Sequence, residues 1–261
     1  MRLHHRPTAP QFGCTLPTPE AIARVPSLFG AKHCARLAMP PQQCDPPPQL
    51  APLEILGNGE LSCCVADAIQ HLRQGWSALA AKVFAPTLAE TLWIYGWQGY
   101  DPTKPETDNG MDPVAAMARW LADGINGDKP TAGGRISVDQ LSLECARYYL
   151  GGAMLCFQLP RGFDPARPDW SDLATAPDPD GGHAVNLVGY RPPNYGAQDP
   201  GAAIVETWGE RVAIPWPYVA TRCVLALGFV DPDVLLVDGK TAWGLDVAGM
   251  QASLEVLEGG A

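Results

Sequence analysis

A chain of 261 residues that is 46% apolar and only 18% charged can bury one large core or two small ones, which excludes a disordered protein. Its net charge of -10, with no block of Lys or Arg, excludes a phosphate backbone as partner, so no nucleic acid is expected. No apolar stretch reaches membrane-spanning length, and the opening MRLHHRPTAPQFGC has no apolar run after its basic residues; the expectation is a protein without membrane contact that starts in the cytoplasm.

Residues 1–52 hold 11 of the 27 prolines, including Pro46, Pro47 and Pro48, and read as an extended arm with one short helix near Glu20–Arg24. Phe12, Leu28, Phe29 and three cysteines favour an arm that packs on the domain or docks on a neighbouring protein over a free tail. From Ile55 to Cys64 a glycine-punctuated loop leads into a helix from Cys64 to about Gln74, on the spacing of Val65, Ala68, Ile69 and Leu72. A second helix is predicted over Thr87 to Trp97, followed by a turn-rich loop. Asp112 before Pro113 sets an N-cap for a third helix to Asp123, stopped by Gly124. A fourth is predicted from Val138 to Leu150. Trp76, Trp93, Trp97 and Trp120 all lie on these helices and are expected in the core.

The pattern then changes. Ala153–Leu159 reads as a strand, Pro160–Gly182 as a proline- and aspartate-rich loop, and His183–Tyr190, Ala203–Trp208 and Val224–Phe229 as strands. A last helix is predicted from Asp246 to Leu257. Helices first and strands second predict an α+β protein with two lobes and a cleft between them. The organisation expected is the arm at 1–52, the domain at 53–230 and a C-terminal extension at 231–261.

The eight cysteines are at 14, 34, 44, 63, 64, 145, 156 and 223. Reduced thiols are the expectation in a long chain without a leader. Cys14, His33, Cys34 and Cys44 lack the paired spacing of a zinc site, so neither a metal nor another cofactor is expected.

Cys64 opens a predicted helix, where unpaired N–H groups and the macrodipole favour a thiolate. Asn58 lies six residues earlier, and its amide can supply an oxyanion donor beside the Cys64 N–H. A base must come from five histidines. His4, His5 and His33 are in the arm. His71 is about 10 Å along the helix from Cys64, too far for a hydrogen bond. His183 remains, at the point where a strand leaves Gly181 and Gly182, and Glu206 on the next strand is the candidate to orient its ring.

The segments GNGELSCC, GGHAVNLVGY and VETWG, in that order, resemble the papain-like cysteine peptidases, and more closely their divergent bacterial and phage branch. The resemblance covers about residues 53–230. It implies a two-lobed fold with a helical lobe that carries the nucleophile helix packed on an antiparallel β lobe. It also implies Cys64 as nucleophile, His183 as base, Asn58 in the oxyanion hole and Trp208 as a shield over the His183 contact. Gly59, Ser62, Val65 and Glu206 depart from the family pattern, and Cys63 is an extra thiol beside the nucleophile.

The function expected is a thiol peptidase or amidohydrolase acting on a peptide or protein, with acyl transfer as a variant of the same chemistry. The alternative is a relic papain fold serving as a head or tail component of a phage or prophage virion, anchored to its neighbour through residues 1–52. The two readings predict different covers. An open cleft with the Cys64 sulfur within hydrogen-bond reach of the His183 ring favours the enzyme; a cleft plugged by the arm or by a neighbouring chain favours the structural part.

Overall fold

In a computed structural model, which describes residues 12–30 and 34–232, the central element is a helix that is buried all round. Cys64–Leu79 (α2) encloses not only Val65, Ala68, Ile69, Leu72 and Trp76 but also Asp67, Gln70, His71, Arg73 and Gln74. A polar group taken from water needs a partner in the protein. Gln70 donates to Glu90 at 2.7 Å, Arg73 pairs with Glu90 and Asp128, and Gln74 donates to the Pro52 carbonyl at 3.0 Å. These bonds tie the helix to the segments around it. The helix runs five residues beyond the expected Gln74, because Trp76 and Ala78 continue its buried face.

Before it come a six-residue helix, Pro19–Arg24 (α1), and a short strand, Ser27–Phe29 (β1). After it come Leu88–Tyr95 (α3) and Pro113–Asp123 (α4), the latter capped by the Asp112 carboxylate on the Val114 and Ala115 N–H groups. Then follow the strand Ala132–Ile136 (β2), the helix Gln140–Leu150 (α5), and the strands Ala153–Pro160 (β3), Pro177–Arg191 (β4), Ala202–Thr207 (β5) and Glu210–Pro215 (β6). The helix Trp216–Arg222 (α6) and the strand Cys223–Val230 (β7) complete the described chain. The helix expected over Asp246 to Leu257 lies outside the described residues.

One sheet in the order β1-β2-β7-β3-β4-β5-β6 joins all seven strands, antiparallel except where β1 runs parallel to β2. Its central strands are covered on both faces, so they read as continuous apolar runs. Met154, Cys156, Ala184, Leu225 and Leu227 face α2, while Leu155, Phe157, Val185, Leu187 and Ala226 belong to the opposite core with α5 and α6. Trp76 and Trp120 stack in the first of these cores, whereas Trp93, expected inside, is 51% exposed and leans on the half-buried Trp97.

Four elements, β1, β2, β6 and α6, were not predicted from the sequence, and a fifth, β4, starts earlier than expected. β2 reads AGGRI, poor strand material by composition; Gly134 is needed there because a Cβ would come within 2.6 Å of the Pro26 carbonyl, where the arm adds β1 to the sheet edge. β4 begins at Pro177, six residues before the expected start. The β5–β6 hairpin closes through Trp208 and Gly209, with Thr207 paired to Glu210 and both turn residues at positive φ, 48° and 73°. That is the backbone of a two-residue hairpin turn, in which a tryptophan is unusual.

Candidate active site

The loop before α2 turns back on itself. Asn58 N–H donates to the Ile55 carbonyl at 2.8 Å, and Glu60 and Leu61 N–H donate to the Gly57 carbonyl. This carries the Asn58 side chain to the first turn of the helix, where its amide donates to Asp67 Oδ2 at 2.9 Å. Asp67 in turn faces His71 Nδ1 at 3.7 Å, and His71 Nε2 is 3.1 Å from the Glu54 carbonyl. Burial raises the Asp67 carboxyl to about 6, opposed by His71 and Asn58. An amide nitrogen carries two hydrogens, so Asn58 keeps one after bonding Asp67. Sequence reasoning missed Asp67; its place three residues after Cys64, on a turn that is otherwise apolar, was the available signal.

Cys64 is the first residue of α2 and is fully buried. Its sulfur accepts the Ala184 N–H at 3.4 Å and a second N–H from Gly13. Both bonds favour thiolate, yet burial outweighs them and pushes the thiol up to about 12.

His183 lies one residue before that Ala184 N–H. Its ring is clamped: Nε2 is 2.8 Å from Thr207 Oγ1, and Trp208 stacks on it with centroids 4.3 Å apart and planes at 11°. The stack explains the turn. Trp208 holds a left-handed conformation that costs a non-glycine residue about 1–3 kcal/mol, and it rests against His183, Trp170 and Phe163. Burial alone drives the imidazole down to about 3.

Two expectations need correction. Glu206 does not reach His183. Residue 206 pairs across the hairpin with Arg211, whose guanidinium donates to Glu206 Oε1 at 3.0 Å. Successive residues of a strand point to opposite faces, so the neighbouring Thr207 faces His183 instead. Nor do the thiol and the imidazole hydrogen-bond each other: the sulfur is held by backbone N–H groups and the ring by Thr207.

The reason is the arm. Residues 12–15 pass between the two walls of the site. Cys14 N–H donates to the Gly182 carbonyl at 3.0 Å, Met111 N–H to the Gly13 carbonyl at 2.7 Å, and Thr15 N–H to the Met111 carbonyl at 2.9 Å. Phe12 sets its ring edgewise on His183 and Phe163. The passage is so narrow that a Cβ on Gly13 would overlap the Ser62 carbonyl, and one on Gly182 would overlap the Cys14 carbonyl. The wall that carries Met111 is itself fixed to the nucleophile loop, because Asp108 Oδ1 accepts the Ser62 N–H at 2.9 Å and Tyr95 Oη donates to it.

Among the described residues no cluster of His, Cys, Asp or Glu is arranged to hold a metal, and no helix is long and apolar enough to cross a membrane. His33, considered with the arm cysteines as a ligand, lies outside the described residues.

No protein-family model matches the chain, and no curated protein matches it in sequence. Solved structures do share its fold. The chain is similar to xylellain, a cysteine protease from Xylella fastidiosa, at 16% identity and a TM-score of 0.60, over 88% of this chain and 99% of that one. It is similar to the Amb a 11 cysteine protease of ragweed pollen in its proform, at 13% identity and a TM-score of 0.51, over 80% of this chain and 71% of that one. It also resembles the cysteine protease and lectin-like domains of Cwp84 from Clostridium difficile, at 11% identity and a TM-score of 0.50, over 69% of this chain and about half, 48%, of that one. The architecture is therefore the papain-like α+β fold.

Proposed function

We propose that this chain is a papain-like cysteine peptidase held latent by its own arm, with Cys64 as nucleophile and His183 as base. Fold alone does not carry an activity. The observation that carries the reading is the clamp on His183. A strained tryptophan roofs the ring, a buried hydroxyl orients it, and the next N–H along the strand holds the Cys64 sulfur. A cysteine and a histidine buried only to fill space require none of these.

The closed state is chemically silent, since burial keeps the thiol protonated and the imidazole neutral. Withdrawal of residues 12–15 admits water and substrate and removes that burial. With Thr207 accepting from Nε2–H, Nδ1 is the free nitrogen that takes the Cys64 proton. The thiolate attacks a peptide carbonyl, and the Cys64 N–H and the remaining Asn58 amide hydrogen receive the oxyanion. His183 then protonates the leaving amine and activates water to release the acyl group. Thr207 carries no charge, so it supplies orientation without the electrostatic support a carboxylate would add to the imidazolium.

The plug itself favours a second reading, an accessory component of a phage particle with a relic site. Two tests separate them. The full chain carrying Gly13→Val, which cannot seat the arm, should react at Cys64 with a peptide epoxide and hydrolyse peptides, and Cys64→Ala should abolish both. An opened chain whose Cys64 never reacts would end the peptidase reading; assembly with particles that survives Cys64→Ala would establish the other.

A further inference from the structure

Two of the arm's cysteines each meet a cysteine of the domain. The Cys14 thiol packs beside Cys156 of β3, in the core between the sheet and α2. The Cys34 thiol packs beside Cys145 of α5, in the core on the other face, and donates to Ser142 Oγ, one turn before Cys145, at 3.9 Å. All four are buried and reduced. Close packing asks for small apolar side chains at these places, which alanine or valine would supply; it does not ask for sulfur opposite sulfur twice, at two sites 20 positions apart in the arm and in two separate cores.

We infer that Cys14–Cys156 and Cys34–Cys145 are paired oxidation sites, two staples that fasten the arm over the site when the chain is oxidised. The inference rests on the peptidase reading only for its consequence, regulation of the site beneath. Thiols that share a packed core are placed to close to the S–S length of about 2 Å once oxidised. The oxidant is a low-molecular-weight disulfide of the glutathione type. One protein thiolate attacks it and expels one small thiol, leaving a mixed disulfide; the paired cysteine's thiolate displaces the second. Two S–H bonds are lost, one S–S bond forms, and the electron pair and both protons leave with the two small thiols. The neighbouring Cys156 thiol and then burial hold the Cys14 thiol protonated while the arm is seated, and burial does so for Cys145, so exchange starts from the open arm and the second step traps it when it docks.

The position of the first staple gives it its effect. Cys14 lies between Gly13, whose N–H reaches the Cys64 sulfur, and Thr15, which bonds Met111. A bond from Cys14 to β3 therefore pins the three residues that block the nucleophile. The second staple holds the arm beyond β1, where it joins the sheet edge.

The test uses the full chain equilibrated in glutathione buffers of graded ratio, quenched, alkylated without reduction and mapped by mass spectrometry. The expected products are peptides linked 14–156 and 34–145. Oxidation should slow alkylation of Cys64 at least tenfold, and dithiothreitol should restore it. Cys156→Ala should remove that redox dependence while leaving the reduced rate unchanged; Cys14→Ser should do the same if the first variant folds poorly. Linkage of Cys14 to Cys64, linkage between chains, or no linkage would overturn the inference. These readouts need no turnover, so staples that form and shield Cys64 in a chain that cleaves nothing would uphold the inference and sink the peptidase reading alone.

Discussion

Replacing Gly13 with valine should unseat the arm without touching the catalytic groups. The new Cβ would overlap backbone atoms of Ser62, which cannot rotate aside as a side chain can. What the arm then loses is countable: the bonds Cys14 N–H to Gly182, Met111 N–H to Gly13 and Thr15 N–H to Met111, and the edge contacts of Phe12 with His183 and Phe163. Each backbone bond has a net value of about 0.5–1.5 kcal/mol, and an aromatic pair about the same. A loss of about 3 kcal/mol raises the open population roughly 100-fold. The assay is the rate of Cys64 alkylation by iodoacetamide, followed by peptide mapping under reducing conditions. The rate should rise by at least that factor, since the thiol also returns toward its ordinary acidity once hydrated. A Gly13→Val chain with unchanged far-UV dichroism and an unchanged Cys64 rate would refute the claim that the arm is the barrier.

Three further outcomes are expected. Burial in the closed state holds the His183 pKa down from 6.5 to about 3, so the closed state is intact above 6.5 and is weakened as pH falls toward 3; at pH 4.5 the open population should be larger than at neutrality, by up to roughly 100-fold where opening restores the ordinary pKa. Phe12, Trp208 and Thr207 lie against the ring, and protection of the Gly13–Thr15 amides from hydrogen exchange, corrected for intrinsic rates, reads the change. Thr207→Val in the opened background should lower kcat at least about tenfold with little change in KM, since general acid–base catalysis depends on a positioned ring; Glu206→Gln should instead weaken the Arg211 pair and lower Tm by roughly 2–4 °C, about 1 kcal/mol. Asp67 behaves in the opposite sense to His183. Its raised pKa means that stability is highest below 3.8 and falls as pH rises through about 6, so Asp67→Asn should gain about 1–3 kcal/mol over the parent at pH 8 and nothing at pH 3 in a denaturant titration; equal effects at both pH values would count against a buried, strained carboxylate.

The parts of the site that were readable are the ones with local causes. A small thiol at a helix start, a histidine leaving a glycine pair and a tryptophan before glycine each carry their signature within a few residues. Thr207 was passed over for Glu206 because a carboxylate is the stronger partner by chemistry; strand alternation and the hairpin through Trp208 and Gly209 decided against it by direction. Had the two-residue turn been recognised, Glu206 would have been placed opposite Arg211 at once. Asp67 was hidden for a similar reason. An acidic residue in the first turn of a helix normally faces water and complements the helix dipole, and only burial of the whole helix turns it inward to Asn58.

The positions of α2 to α5 and the caps of α4 were settled by the sequence itself, because periodicity and capping act over a turn or two of chain. Where the arm goes was not. Gly13 and Gly182 are unremarkable glycines until they are found 169 positions apart with no room for a side chain between Gly13 and Ser62, or between Gly182 and Cys14. Close approach of distant backbones leaves no local pattern, only the absence of a Cβ. The pairing of Cys14 with Cys156 and of Cys34 with Cys145 is likewise a property of the packed cores, since the spacing of cysteines along a chain says nothing about which of them meet.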